Sequence, residues 1–460
     1  MILTIENLGV IKQVRIDLNK KFTLFCGRNN TGKTYASYIL QAFLNPDAYF
    51  SIDCFQRMTD QLVESGSFRM EKSFVEDYFK ALCAYVKKQT GSIFGISDVT
   101  VKKLFDRLDV SVEYTDQDFE DSSSNEIKSS MTLGQNLLSI TKPAGSDEVR
   151  IEGNVDMPAF LHQAGFGTSI LFCSLLRHFA FRSAAGAPML TVERNSIYTF
   201  KTELSLSRNE LIDRIQQQSD RAEIDILDIV NSSSRRYPQA VRSSLRIAND
   251  LENIQKYASP YADMASLLEK DLLHGEVNVT KNGDVEFHGQ HMLKARRLPF
   301  HLSSSIVKTM ASLVIYLRHI ATPGDTLIID EPEMNFHPDV QVILARVFAM
   351  LTAKGLRIVV STHSDYVVRE LNNLIMAKAL QKNGCVDLLH EMQYEEGMLL
   401  DYKDVEVLFF EQIKNWVHVK SIPVDEVGFA VTTIDDTIMQ QNERAERLYA
   451  ALESLTDSHE

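Results

Sequence analysis

The chain has 460 residues, of which 44% are hydrophobic and 24% charged, with a formal net charge of −14. That length holds two or three domains with buried cores, while the acidic balance excludes a protein that wraps nucleic acid over most of its surface and leaves Lys102-Lys103, Arg235-Arg236 and Lys294-Ala295-Arg296-Arg297 as local, solvated basic faces. Five scattered cysteines without a C-x-x-C pair exclude a disulfide frame and cysteine-held zinc, and the lack of a leader-like N-terminus or of an apolar run near the ~20 residues of a membrane span leads us to expect a cytoplasmic protein with no membrane partner.

Alternation at Ile2, Thr4 and Glu6, and again over Val14–Leu18, predicts two strands. A third, Phe22, Leu24, Phe25, Cys26, runs straight into Gly27-Arg28-Asn29-Asn30-Thr31-Gly32-Lys33-Thr34, a complete G-x-x-x-x-G-K-[ST] loop ahead of a helical run that opens at Tyr35. In that context the glycines let backbone N–H groups curl around phosphates. Lys33 then reaches the β and γ oxygens, and the Thr34 hydroxyl ligates Mg²⁺. The loop implies a nucleoside triphosphate without saying what the triphosphate drives.

From about Pro46 to Val110 the pattern is helical; from Ser111 to Asn154 it is polar and strand-like, with Asp121-Ser122-Ser123-Ser124-Asn125 as a surface loop. Helical spacing over Phe160–Ala180 precedes Pro188–Arg194, which reads as a buried strand returning to the core sheet and ending in two charges. Residues 201–275, rich in Glu, Arg, Gln and Leu, predict a helical arm without sustained heptads. Glu276–Gly289 predicts a hairpin with a type I′ turn at Asn282-Gly283. A short strand at Thr326–Ile329, a helix with Pro338 in its first turn and Lys354-Gly355 at its end, a strand over Leu356–Ser361 and a helix from Asp365 then alternate as βαβ units do. Such alternation implies a parallel sheet with its ligand site at the strand C-termini.

The Thr326–Ile329 strand ends in Asp330-Glu331-Pro332, where carboxylates can hold Mg²⁺ (Asp330) and orient or deprotonate a hydrolytic water (Glu331). Thr34 and Asp330 are 296 residues apart, far more than one crossover needs, so a large insertion divides one site. Just upstream, Leu302-Ser303-Ser304-Ser305 opens a helix. Downstream, His363 stands in Ser361-Thr362-His363-Ser364 at the end of the next strand; contiguous His, Ser and Asp cannot converge as a hydrolase triad.

This order of motifs resembles the ABC-type ATPases of the SMC and RecF kind. The resemblance implies an α/β P-loop NTPase of ABC-ATPase type, with a mostly parallel core sheet and a large, mainly helical insertion. It implies ATP and Mg²⁺ as ligands, a Walker A loop spanning Gly27, Arg28, Asn29, Asn30, Thr31, Gly32, Lys33, Thr34 and Tyr35, and a Walker B pair at Asp330 and Glu331. Ser303, Ser304 and Ser305 correspond to the signature that touches the triphosphate held by a second copy, with serines where glycines are usual; an ordinary serine N-cap is the alternative. His363 matches the switch histidine that reports on the γ-phosphate, and Asn335 opens the D-loop; Val192-Glu193-Arg194 falls in the Q-loop region but carries no glutamine.

More narrowly, Asn29–Tyr35, Glu331–Pro338 and Thr362–Tyr366 resemble the ATPase subunits of bacterial anti-phage systems of the Septu, PARIS, OLD-like and retron-associated groups. The resemblance implies an ATP-hydrolysing sensor with Glu331, His363 and Lys33 as catalytic residues. The resemblance further implies a homodimer or higher homo-oligomer that answers to a phage protein or nucleic acid and controls a separately encoded nuclease or toxin. No Toprim, HNH, zinc or PD-(D/E)xK pattern stands in the chain. A DNA-repair or recombination ATPase acting directly on DNA is the alternative; a scaffold with a purely structural ATP site is a third reading. The expected organisation is residues 1–45 as the N-terminal half of the head, 46–290 as the insertion, 291–400 as the C-terminal half, and 401–460 as a tail that binds a partner.

Overall fold

Sixteen strands and the helices between them are seen in a computed structural model, which describes residues 1–457 except 47–48, 50–51, 134–135, 155–165, 183–185, 202–236 and 291–296. In chain order the strands are β1 (Ile2–Leu8), β2 (Ile11–Asp17), β3 (Phe22–Gly27), β4 (Ser67–Arg69), β5 (Asp109–Glu113), β6 (Ile127–Leu133), β7 (Asn136–Lys142) and β8 (Glu148–Gly153). They continue with β9 (Met189–Leu190), β10 (Gly275–Val279), β11 (Val285–Gly289), β12 (Leu298–Pro299), β13 (Thr326–Asp330), β14 (Arg357–Thr362), β15 (Val405–Ile413) and β16 (Trp416–Ile422).

Nine of them form one sheet in the order β5-β1-β2-β16-β15-β3-β14-β13-β9. The run β15-β3-β14-β13-β9 is parallel throughout, while β5-β1-β2 and β15-β16 pair antiparallel. The parallel strands are buried on both faces, as covered parallel sheets must be. Phe25, Ile328, Val359, Leu408 and Phe410 enter one core with the helices Lys33–Leu44 and Phe166–Phe181. Leu24, Cys26, Ile329, Val360, Val407 and Phe409 enter the other with the helices Ser305–His319, Pro338–Ala353 and Asp365–Lys382.

Strand and helix ends follow the local chemistry that the sequence predicts. Pro338 is at the first turn of its helix, and Ser364 caps the next, its hydroxyl accepting from the Val367 N–H at 3.1 Å.

Several expectations are corrected. Residues 405–422 are not a separate tail: β15 and β16 fill the middle of the sheet, between β3 and β2, because Val405, Val407, Leu408, Phe409 and Phe410 are apolar enough to be buried on both sides. The strand-like stretch from Ser111 to Asn154 does supply strands, with β6, β7 and β8 in an antiparallel sheet and β5 on the edge of the main one; the short β4, which completes that antiparallel sheet, falls where the pattern reads as helical. The serine-rich patch lies mostly on the helix Asp116–Ser123, with Ser122 buried and bonded to the Asp118 carbonyl, rather than in a loop. The 188–194 strand stops at Leu190. The β10–β11 turn is not type I′: only Gly283 has positive φ (+78°) there, and its N–H donates to the Thr280 carbonyl at 2.8 Å. Of the expected helical arm, residues 202–236 lie outside the described residues, and the remainder forms short helices such as Gln239–Asn249 and Ala262–Leu268. Arg235, Arg236, Lys294 and Arg296 also lie outside them.

Candidate functional site

The parallel strands β3, β13 and β14 end together, and each delivers one part of the site. Gly27, the last residue of β3, pairs with Phe410 of β15 at φ +137°; a Cβ here would lie 2.4 Å from the Phe410 carbonyl oxygen, so only glycine fits. Asn30 (φ +62°) and Gly32 (φ +87°) turn the loop back on itself, and the buried Thr31 hydroxyl donates to the Arg28 carbonyl at 2.8 Å. Arg28, Asn29 and Asn30 are exposed on the outer rim. Lys33 is 5% exposed, and its Nζ donates to the Gly27 and Arg28 carbonyls at 3.1 and 2.9 Å. Burial pushes its pKa down, against the pull of Glu331 and Asp330.

The two distant halves meet at Thr34, whose hydroxyl donates to Asp330 Oδ2 at 2.7 Å. Ser361, at the end of β14, donates to the other Asp330 oxygen. Glu331 sits at φ +45°, a left-handed conformation that costs a non-glycine residue of order 1–2 kcal/mol, and its N–H donates to the Ser361 carbonyl at 3.0 Å. Its Oε1 lies 3.3 Å from His363 Nε2. Burial first, then the Lys33 charge, lowers the His363 pKa below its ordinary value, so the imidazole is neutral at pH 7.

Four of the predicted site residues stand apart. Ser303 is buried with no hydrogen-bond partner for its hydroxyl, and Ser304 is at the N-cap of the helix Ser305–His319 without a side-chain capping bond. Among the described residues, no hydrogen bond links Ser303, Ser304 or Ser305 to the phosphate loop. The Tyr35 ring turns away from the loop onto Phe94 and Phe105, with centroids 5.2 and 6.0 Å apart.

Two residues were missed. Glu333 is held inside by the Thr362 hydroxyl and the His363 N–H, both donating to Oε1 at 2.6 and 2.8 Å; Oε2 is buried without a partner, and burial pushes the pKa up. Arg194 is 2% exposed and donates to the Thr191, Asp330 and Glu331 carbonyls at 3.0, 2.6 and 2.6 Å. Burial lowers its pKa to about 10, against the fields of Asp330, Glu333 and Glu331.

The donor set fits Mg²⁺. Thr34 and Asp330 offer hard oxygens beside each other, and no group of three or more His, Cys, Asp or Glu capable of holding a metal exists among the described residues. A small divalent ion here would complete its shell from water and phosphate, as Mg²⁺ does.

Two family models match. One, described as "AAA ATPase domain", covers residues 1–97; the other, described as "AAA domain, putative AbiEii toxin, Type IV TA system", covers residues 192–369. The first match contains Lys33 and Thr34; the second contains Arg194, Ser303, Asp330, Glu331 and His363. The fold is that of a P-loop ATPase of the ABC type. No curated protein matches the chain.

Solved structures similar to this ATPase include an SmcHead bound to the C-winged helix domain of ScpA (11% identity, 92% of this chain and 98% of that one, TM-score 0.36). A second is the Smc head domain with an extended coiled coil bound to the C-terminal domain of ScpA from Pyrococcus furiosus (10%, 96% and 98%, 0.36). A third is the SMC head domain from Thermotoga maritima (10%, 92% and 98%, 0.30). At such scores these likenesses add nothing to the case made by the strand order and the site. Among the described residues no helix is long and apolar enough to cross a membrane.

Proposed function

We propose that this ATPase is a molecular switch. Two copies close on two ATP molecules, each held by the phosphate loop of one copy and by Ser303, Ser304 and Ser305 of the other. Opening and closing control a separately encoded nuclease or toxin of a bacterial anti-phage system, with a phage protein or nucleic acid as trigger.

The ATP part rests on the 2.7 Å bond between Thr34 and Asp330, which puts a phosphate loop and an acidic strand end in one place. The two-copy part is supported by Ser304 and Ser305, exposed at a helix N-terminus suited to anionic oxygens and unbonded to the chain's own loop, close to Leu302, which is 64% exposed. The anti-phage part is supported by the motif runs at Asn29–Tyr35 and Glu331–Pro338 and by the type IV toxin–antitoxin description of the family matched over 192–369.

In this reading Lys33 exchanges its loop carbonyls for β and γ oxygens. Thr34 and Asp330 would hold Mg²⁺, which when bound neutralises charge developing on the phosphates. Glu331 takes the proton of a water aimed at the γ-phosphorus, and neutral His363 holds the Glu331 carboxylate at 3.3 Å while facing the same phosphate. The test is ATP hydrolysis and light-scattering mass for the wild type and Glu331→Gln. The variant should hydrolyse at least about 100-fold more slowly and accumulate as an ATP-bound dimer; unchanged turnover would remove Glu331 from the chemistry.

A further inference from the structure

We infer that Arg194 is a positioning residue that holds the Asp330–Glu331 backbone in its catalytic conformation and ties it to the insertion. The inference rests on the ATPase reading above.

The geometry is specific. Arg194 follows β9 by four positions, lies on the chain leading into residues 202–236, and sends its guanidinium under the end of β13. Nη1 and Nη2 each donate at 2.6 Å to consecutive carbonyls, those of Asp330 and Glu331. A forked donor is what two neighbouring carbonyls need, and a lysine ammonium cannot span them in the same plane. Arg194 spends its bonds on backbone, so the Asp330 carboxylate stays free for Thr34 and Ser361. The same fork braces the peptide at Glu331, whose φ of +45° a free chain would not hold.

The experiment compares Arg194→Met and Arg194→Lys with the wild type and with Glu331→Gln. Arg194→Met should bind ATP with a Kd within about threefold of wild type while kcat falls about 100-fold, the loss usual for a catalytic group displaced by an ångström. Arg194→Lys should recover part of kcat. In a Glu331→Gln background Arg194→Met should cost almost nothing more, because the arginine acts through that glutamate. Losses that multiply in the double variant, or a Kd that rises as far as kcat falls, overturn the inference. A crystal structure of Arg194→Met reads the same point without turnover: Glu331 should leave the left-handed region. If it stays near φ +45° the inference fails, whereas a wild type without hydrolysis would count against the ATPase reading and leave this structural test standing.

Discussion

Gly27→Ala tests how tightly the phosphate loop is seated on β15. The new methyl would lie 2.4 Å from the Phe410 oxygen, against an ordinary contact of about 3.4 Å, so backbone must part from backbone by about 1 Å. The φ of +137° adds a conformational cost of about 1–3 kcal/mol, and the overlap a further 1–3 or so. Together these lower the stability by roughly 2–6 kcal/mol, and at about 2 °C per kcal/mol for a large domain the Tm should drop by about 4–12 °C. Gly145→Ala is the control. Its φ is +70° but nothing lies within 4 Å of the added methyl, so it should lose only about 1 kcal/mol. Scanning fluorimetry of both, with and without ATP, separates the terms. Because the Gly27 carbonyl also accepts from Lys33 Nζ, the Gly27 variant alone should lose ATP-dependent stabilisation. Equal melting temperatures for the two variants would refute the argument.

Other outcomes follow from the same structure. Glu406 is 9% exposed on β15, and burial lifts its pKa from 4.5 to about 7, although both its oxygens accept from the Asp17 N–H. A carboxyl with a raised folded pKa favours the folded state while protonated, so its contribution is full below about pH 4.5 and is lost as pH rises through 7. Glu406→Gln should therefore be more stable than wild type at pH 8, by up to ~3 kcal/mol, and not at pH 4.5; a variant less stable at pH 8 would contradict this. Removal of divalent metal with EDTA should stop hydrolysis without unfolding the chain, and Thr34→Val should raise the Mg²⁺ concentration for half-maximal rate at least about 10-fold; an unchanged Mg²⁺ dependence would exclude Thr34 as a ligand.

Much of the site could be read from the chain because its parts are local. A phosphate loop is eight consecutive residues after a strand, and Asp330-Glu331 and His363 follow short apolar runs that can be nothing but buried strands. Glu333 and Arg194 gave no such signal. Glu333, in Glu331-Pro332-Glu333, reads as an exposed turn, and only Thr362 and His363, some 30 residues away, draw it inside. Arg194 looks like the polar end of a strand until β13 lies beside it. The strands at 405–422 were different, since Val405, Val407, Phe409 and Phe410 carry an apolar run of strand length that the absence of a chemical motif concealed. The hairpin turn was misread because Asn-Gly fits two geometries, and the residues on each side decide between them.

The seating of β15 beside β3 makes the strand that carries the phosphate loop depend on a partner from far along the chain. Until residue 413 has emerged, the strand that carries the phosphate loop has one flank bare, and Phe22, Leu24 and Phe25 can still pair with whatever passes. Without β15 that edge of the phosphate-loop strand has no partner for its backbone groups. The grip on a triphosphate is thus seated on a strand with no chemical motif of its own, and a change on β15 reaches the site through backbone pairing alone.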